Sequence, residues 1–399
     1  MLKRSSPKLS GIDKAFLIIF IIALTAYVIN YFSQARDIAI SDMLGVNIRS
    51  VLSVQIRSIT ALLLVVVSIL YNIIRLPRIN FSYSVLFLIS IQFFFCTLTS
   101  DIHDNVITYI NHYTTMSLWI YIYIFFYAFF SYNEHLDISK AIIISAILFF
   151  ALFILNYISV SRFNTSWHYI ESYFLIATLP FIFSLNSKKA KSILLILTLV
   201  ACILSAKRTG IVAIVFIMLM SVNVRSFLSS KTWKQFPKFI FVALLIFVML
   251  NFFLGDELNL IFDRFKGMSE DGGSGRDIVY ADVWSMIKSS NLTQLIFGHG
   301  YNAVQGDSEL GFSSHNDFLE ITYDFGVWGI MCYMLFILSV SQVRYVKYFT
   351  FSQKIALLIF FVFSFFSHLI LNTTYIIPLL TFWAYVYPRK GKKLNNIVI

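Results

Sequence analysis

The sequence predicts an all-α polytopic membrane protein, a bundle of about twelve transmembrane helices with one large outer loop between spans 9 and 10. Three observations predict it. First, 58% of the 399 residues are apolar, only 13% are charged, and the mean hydropathy is +0.78. Soluble domains carry about 25% charged residues. Second, apolar runs of about 20 residues, long enough to cross a bilayer as helices, recur along the whole chain. Third, lysine and arginine gather in alternate connections, as the positive-inside rule requires.

In order, the apolar runs give spans at 14–32, 53–74, 81–99, 113–131, 138–159, 168–186, 190–206, 208–224, 237–254, 318–341, 354–372 and 373–388. The last two are almost contiguous, so eleven spans and a re-entrant segment fit the same pattern. With the N-terminus inside, the inner side collects Lys3, Arg4, Lys8 and Lys14, then Arg75, Arg78 and Lys140. Lys188, Lys189, Lys191, Arg225, Lys231, Lys234 and Lys238 follow, then Arg344, Lys347 and Lys354. Arg389, Lys390, Lys392 and Lys393 complete the set, which holds most of the 31 basic residues. Both termini are then cytoplasmic, which requires an even number of spans and favours twelve. No small-residue cleavage site follows the first span, which reads as a retained anchor.

Three segments result: the bundle of spans 1–9 at 1–254, an outer loop at 255–317, and spans 10–12 with a basic tail at 318–399. The outer loop holds Asp256, Glu257, Asp263, Glu270, Asp271, Asp277, Asp282, Asp307, Glu309 and Asp317 against four basic residues, Arg264, Lys266, Arg276 and Lys288. Loops longer than about 12–15 residues are commonly functional. Within it, Gly267 to Gly275 reads as a hinge. Residues 276–289 read as an amphipathic helix whose apolar side is Ile278, Ala281, Trp284 and Ile287, lying on the membrane or over the bundle.

Several function classes drop out. Cys96, Cys202 and Cys332 all fall in apolar spans, which argues against a disulfide framework or a thiol metal site. The seven histidines have neither HxxxH nor HExxH spacing, which argues against a zinc enzyme. The net charge of +11 resides in the inner connections, so it implies no nucleic-acid partner. No cofactor is implied.

The candidate chemistry lies at the outer rim. His315 ends a polar, Gly-rich loop just before an apolar helix, where Asn316 or Ser314 can cap. The positive end of that helix disfavours imidazolium and leaves a neutral base for proton transfer. Asp317, Glu320 and Asp324 follow at helical spacing as one acidic stripe, able to orient an imidazole or bind sugar hydroxyls. The same placement also suits a simple capping histidine. Lys207 and Arg208 stand between two spans on the outer side, against the charge pattern of the rest of the chain. A guanidinium there suits phosphate, because its planar fork makes bidentate charge-assisted bonds. A pair snorkelling at a helix end is the alternative. Arg276 opens the amphipathic segment, where a cation meets the unfavourable end of the helix dipole and so suggests an anionic partner. An ordinary solvated arginine is the alternative. Gly298 and Gly300 suit a tight turn, and Gly326 and Gly329 suit close helix packing.

His315-Asn316, followed at fixed spacing by Gly326 and Gly329, resembles the signature of the bacterial O-antigen polymerase and O-antigen ligase superfamily. The SxxRTG segment at 205–210, Gly275-Arg276 with Trp284, and the Gly298-x-Gly300 turn occur in the matching order. The likeness covers roughly 190–345. It implies a GT-C-type glycosyltransferase of the inner membrane that needs neither metal nor nucleotide sugar. The donor would be a saccharide on undecaprenyl diphosphate. By the resemblance, Arg208 and Arg276 hold the diphosphate and His315 is the base, with Lys207, Asn316, Asp317, Glu320 and Asp324 in support. A polymerase moves the glycan onto the next undecaprenyl-diphosphate-linked repeat unit, with a chain-length regulator as a possible partner. A ligase moves it onto lipid A–core. The acidic outer loop would repel a phosphate-rich acceptor, which favours the polymerase. A transporter of the same lipid-linked sugar would need matched, interrupted halves, and no internal repeat is visible.

Overall fold

Every secondary-structure element among the described residues is a helix, as expected of a chain whose apolar runs must satisfy their own backbone groups in lipid. The computed structural model describes residues 9–44, 51–75, 88–91, 106–161, 171–205, 210, 213, 214, 217, 276–311, 313–341, 349–366 and 373–395. In chain order the helices are α1 (Gly11–Leu44), α2 (Val51–Arg75), α3 (Val106–Tyr132), α4 (Ser139–Ser161), α5 (Glu171–Ala177), α6 (Leu179–Ser184) and α7 (Lys188–Leu204). They continue as α8 (Arg276–Ser289), α9 (Leu292–Phe297), α10 (Ala303–Asp307), α11 (Asp317–Ser341), α12 (Phe351–Phe366) and α13 (Thr373–Asn395).

Four stretches are long and apolar enough to cross a membrane: Gly11–Tyr31, Gln55–Arg75, Ser139–Ile158 and Asp317–Ser341. Shorter apolar helices join them at Ser117–Tyr132, Ser172–Ser184, Phe351–Phe366 and Tyr375–Tyr387. The chain is a multi-pass membrane protein. Most of the expected spans at 81–99 and 208–224, and all of that at 237–254, lie outside the described residues. Within the expected span at 168–186, α5 and α6 join at Thr178, which keeps helical backbone, donates its N–H to Phe174 O and accepts from Ile182 N–H. Pro180, near the start of α6, has no N–H to continue the ladder.

The chain divides into two compact units. The first comprises Met1–Ala141, Ile278–Phe349 and Ala356–Ile399. In it α2 packs between α1 and α3, and α13 packs on α3. Phe20 stacks on Phe125 at 3.8 Å, and Tyr71 leans on Phe125 at 5.0 Å. The second comprises Ile142–Asp277 and Thr350–Ile355, where α5 and α6 pack on α7 and Phe149 meets Phe174 at 3.9 Å.

Side-chain contacts sort the helix ends of the first unit. Arg75 at the end of α2 pairs with Asp13 at the start of α1, N to O 2.7 Å, and Tyr71 donates to the same carboxylate at 2.8 Å. The Arg75 guanidinium lies 5.4 Å over the Tyr132 ring at the end of α3. Phe130 and Tyr385 then meet at 5.1 Å. At the opposite end Phe363 meets Tyr375, and Phe318 meets Phe365 at 4.6 Å. Asp13, Arg75, Tyr132 and Tyr385 thus share one end of this unit, and the His315 segment belongs to the other.

Candidate functional site

Helix α11 is bent back on itself. Gly326 has φ +69° and ψ −170°, which breaks the helix between Phe325 and Val327. Residues 16 apart in a straight helix stand about 24 Å from each other. Here the Tyr333 hydroxyl lies 3.4 Å from Asp317, and the rings of Phe318 and Tyr333 are 5.6 Å apart. A Cβ placed on Gly329 would fall 2.3 Å from Phe325 Cβ and 3.5 Å from Ile321. These pairs, 317 with 333, 318 with 333, 321 with 329 and 325 with 329, describe an antiparallel helical hairpin about Gly326. The straight span expected at 318–341 is therefore wrong in shape. Gly329 serves the fold-back, and Gly326 serves both the fold-back and the close approach of α9.

A break inside a helix leaves carbonyls without their usual i+4 donors. The Gly298-His299-Gly300 segment supplies replacements. His299 N–H donates to Tyr323 O at 3.1 Å, and Gly300 N–H donates to Asp324 O at 2.9 Å. The approach is close enough to require glycine on both sides. A Cβ on Gly298 would meet Asp324 O at 2.2 Å, and one on Gly326 would meet Ile296 O at 2.4 Å. Gly298 itself has φ +86°. The His299 ring stacks on Tyr323 at 4.0 Å, and the Tyr323 hydroxyl donates to Asp307 at 2.8 Å.

His299 Nε2 also lies 2.8 Å from Ser290 Oγ. The Ser290 hydroxyl has one proton and donates it to Met286 O at 2.9 Å. Nε2–H therefore donates to the serine, and the pair is a brace rather than an activated nucleophile. Burial holds the His299 pKa below its ordinary 6.5, with the Asp307 charge opposing. Above pH 6.5 the ring is neutral folded or unfolded, and its packing contributes in full. Below that value the unfolded chain takes up a proton that the packed ring resists, so stability is lost as pH falls towards the folded pKa. We expect the protection factors of the amides at 298–300, corrected for the intrinsic pH dependence of exchange, to fall from pH 7 to pH 5 in the native protein and to stay flat in His299→Gln, read by hydrogen exchange in nanodiscs.

The amphipathic helix expected at 276–289 is present as α8, but its buried side differs. Val283 and Ile287 are buried with Val304 and Tyr323, and Val279, Met286, Leu295 and Leu319 pack around them. Ile278 and Trp284, expected on that side, are 60% and 51% exposed. The helix turns Val279, Val283 and Ile287 to the protein and leaves Trp284 outside under Lys288, 5.5 Å away. Of the stripe read from the spacing only Ile287 is buried, and tertiary packing chose the rest of the buried side.

His315 sits one residue before the cap, not on the helix. Asn316 is the cap: its side-chain oxygen accepts from Phe318 N–H at 3.0 Å and Leu319 N–H at 3.3 Å. His315 has φ +51°, left-handed backbone that a residue with a Cβ rarely adopts, and its side chain is exposed. The turn is locked from inside. Glu320, buried, accepts from Ser314 N–H at 2.8 Å and from Ser314 Oγ at 2.6 Å, and Ser314 Oγ accepts from Asn316 N–H at 3.1 Å.

The expected acidic stripe is real as a stripe, but Asp317, Glu320 and Asp324 are all buried. Asp324 accepts from Asn302 N–H at 2.9 Å and Val304 N–H at 3.1 Å, tying the start of α10 to the hairpin. Tyr301 lies next to that tie. Its phenol stays protonated, with the pKa pushed up to about 12 by burial and then by Asp324 and Glu320, while the Arg57 charge opposes.

Lys207 and Arg208 lie outside the described residues. Arg276 is the first residue of α8, half-buried, and the division between the two units falls after Asp277, so Arg276 and His315 belong to different units. Sequence reasoning missed the Ser314–Glu320 lock and the pairing of 298–300 with α11. A glycine pair 28 residues from another glycine carries no readable sign that the two backbones touch.

Residues 193–334 match the family model described as O-antigen ligase. The matched stretch runs from within α7 through α8, α9 and α10 into α11, and contains the locked His315 turn and the Gly326 hairpin. No curated protein matches the chain. The match over 193–334 of this multi-pass membrane protein supports the O-antigen ligase and O-antigen polymerase superfamily.

Proposed function

We propose that the chain is an O-antigen polymerase of the periplasmic face of the bacterial inner membrane. It moves a growing glycan from undecaprenyl diphosphate to the next lipid-linked repeat unit. The observation that carries the reading is the His315 turn inside the family-matched stretch. A non-glycine residue in left-handed backbone costs about 1–3 kcal/mol, and such strain clusters at functional sites. Here it presents an imidazole on the surface, while Glu320 and Ser314 hold the backbone beneath it.

In this reading His315 takes the proton of the acceptor hydroxyl. The freed oxygen lone pair forms the new bond to the donor's anomeric carbon, and the bond from that carbon to the diphosphate oxygen breaks. Negative charge gathers on the departing lipid diphosphate, where Arg208 and Arg276 oppose it. Lys207 stands beside Arg208 as a second cation. Asn316, Glu320 and Asp324 act as positioning residues, and Asp317 with them, because all four are buried against the protein's own groups.

The family description, O-antigen ligase, supports the second reading, with lipid A–core as acceptor. The acidic balance of 255–317 favours the polymerase, since a phosphate-rich acceptor would be repelled. Deleting the gene separates the two on a gel of surface polysaccharide. The polymerase predicts core capped by a single repeat unit. Uncapped core, with polymer retained on its lipid carrier, would establish the ligase instead.

A further inference from the structure

Helix α2 carries two arginines with different surroundings. Arg75 is fully partnered: its Nη2 lies 2.7 Å from Asp13 and 2.7 Å from Ser10, and its Nε donates to Asp13 at 2.9 Å. Arg57 lies 18 residues earlier, about 27 Å along a straight helix, which is close to the thickness of a bilayer's hydrocarbon core. Its Nε is buried and meets no hydrogen-bond acceptor among the described residues. Among those residues it has no ion pair either. Arg57 as a whole is half-buried, but a buried N–H without an acceptor is costly, and ionisable side chains in apolar spans face functional cavities as a rule.

The place of Arg57 is informative. Because the Arg75 end of α2 meets Asp13 and Tyr132, the Arg57 end belongs with the opposite end of the first unit, where the α11 hairpin folds back. Arg57 is near enough to Tyr301 for its charge to act on the phenol. Tyr301 follows Gly300, which is bonded to Asp324 O, and precedes Asn302, which is bonded to the Asp324 carboxylate. Among the described residues no carboxylate forms an ion pair with Arg57. Asp324 is held by backbone N–H groups and Glu320 by Ser314. The result is a fixed cation beside a neutral phenol, in the same unit as His315.

We infer that Arg57 is an anion-binding residue that receives a phosphate oxygen of the lipid-linked donor's diphosphate, with the Tyr301 hydroxyl as a neighbouring donor. The inference rests on the proposed function and adds to it a cation from the unit that carries His315. A guanidinium fork matches two phosphate oxygens, and it keeps its charge in an apolar setting where an ammonium would lose it more readily.

The test uses the full chain in nanodiscs and two probes, undecaprenyl diphosphate and undecaprenol, with binding read by ligand-induced thermal shift. Wild-type protein is expected to bind the diphosphate. Arg57→Gln is expected to bind it at least tenfold more weakly, while the weak partition of undecaprenol is unchanged. Arg57→Lys, which keeps a charge and serves if the glutamine variant does not accumulate, is expected to weaken diphosphate binding several-fold. Wild-type affinity for the diphosphate in either variant overturns the inference while leaving the proposed function standing. Equal loss of both probes would show that Arg57 merely supports the fold. A native protein that binds undecaprenyl diphosphate no better than undecaprenol would overturn the proposed function as well.

Discussion

His315→Ala is expected to abolish polysaccharide elongation while the protein still accumulates in the membrane. General-base proton transfer contributes typically 10²–10⁴-fold, or about 3–5 kcal/mol of barrier. The side chain is exposed and the turn is held by Ser314, Asn316 and Glu320, so little packing is lost with the ring. His315→Gly sharpens the comparison. Glycine adopts φ +51° without the Cβ penalty, so this variant should be about 1 kcal/mol more stable than the alanine variant, yet equally inactive. The ladder of surface polysaccharide and the level of protein in isolated membranes report the two quantities separately. A full-length ladder from either variant would remove His315 from the chemistry.

Gly326→Ala is expected to be inactive for a different reason. Its methyl group would meet Ile296 O at 2.4 Å and Gly298 N at 2.7 Å, both backbone atoms that no rotamer change can move. Left-handed backbone adds about 1–2 kcal/mol for any residue with a Cβ. Relief requires the hairpin to open or the 298–300 segment to leave Tyr323 O and Asp324 O without donors. Amide exchange at His299 and Gly300 should therefore rise at least tenfold, in parallel with loss of polymer. Gly306→Ala, with nothing within 4 Å of its added Cβ, should change neither. Normal protection at 299 and 300 in the Gly326→Ala protein would refute the latch.

The two variants act on separate links of one chain of causes. His315 is proposed to act on the substrate. Gly326 acts on the backbone geometry that carries Asn316, Glu320 and the turn between them. If the hairpin positions the base, Gly326→Ala should lose elongation even though the His315 side chain is untouched.

The sequence by itself determined the class of this protein and pointed to the neighbourhood proposed for its chemistry. Twenty-residue apolar runs permit little but helices in lipid, because each backbone group must find its partner within its own segment. The pairing of Asp13, Arg75 and Tyr132 at one end of the first unit belongs to the tertiary structure. Asn316 was legible as a cap, since a cap acts on residues only two or three positions ahead. The tertiary structure alone decided the rest. That α11 folds back at Gly326 against 298–300, that α8 buries Val283 rather than Trp284, and that Asp324 bonds loop N–H groups depend on segments far apart in the chain, while the Glu320–Ser314 bond depends on the turn between them. Hydrophobic periodicity records how much of a helix is apolar and on which side. It holds no information about which distant backbone comes within hydrogen-bonding distance, and those contacts fix the geometry of the candidate site.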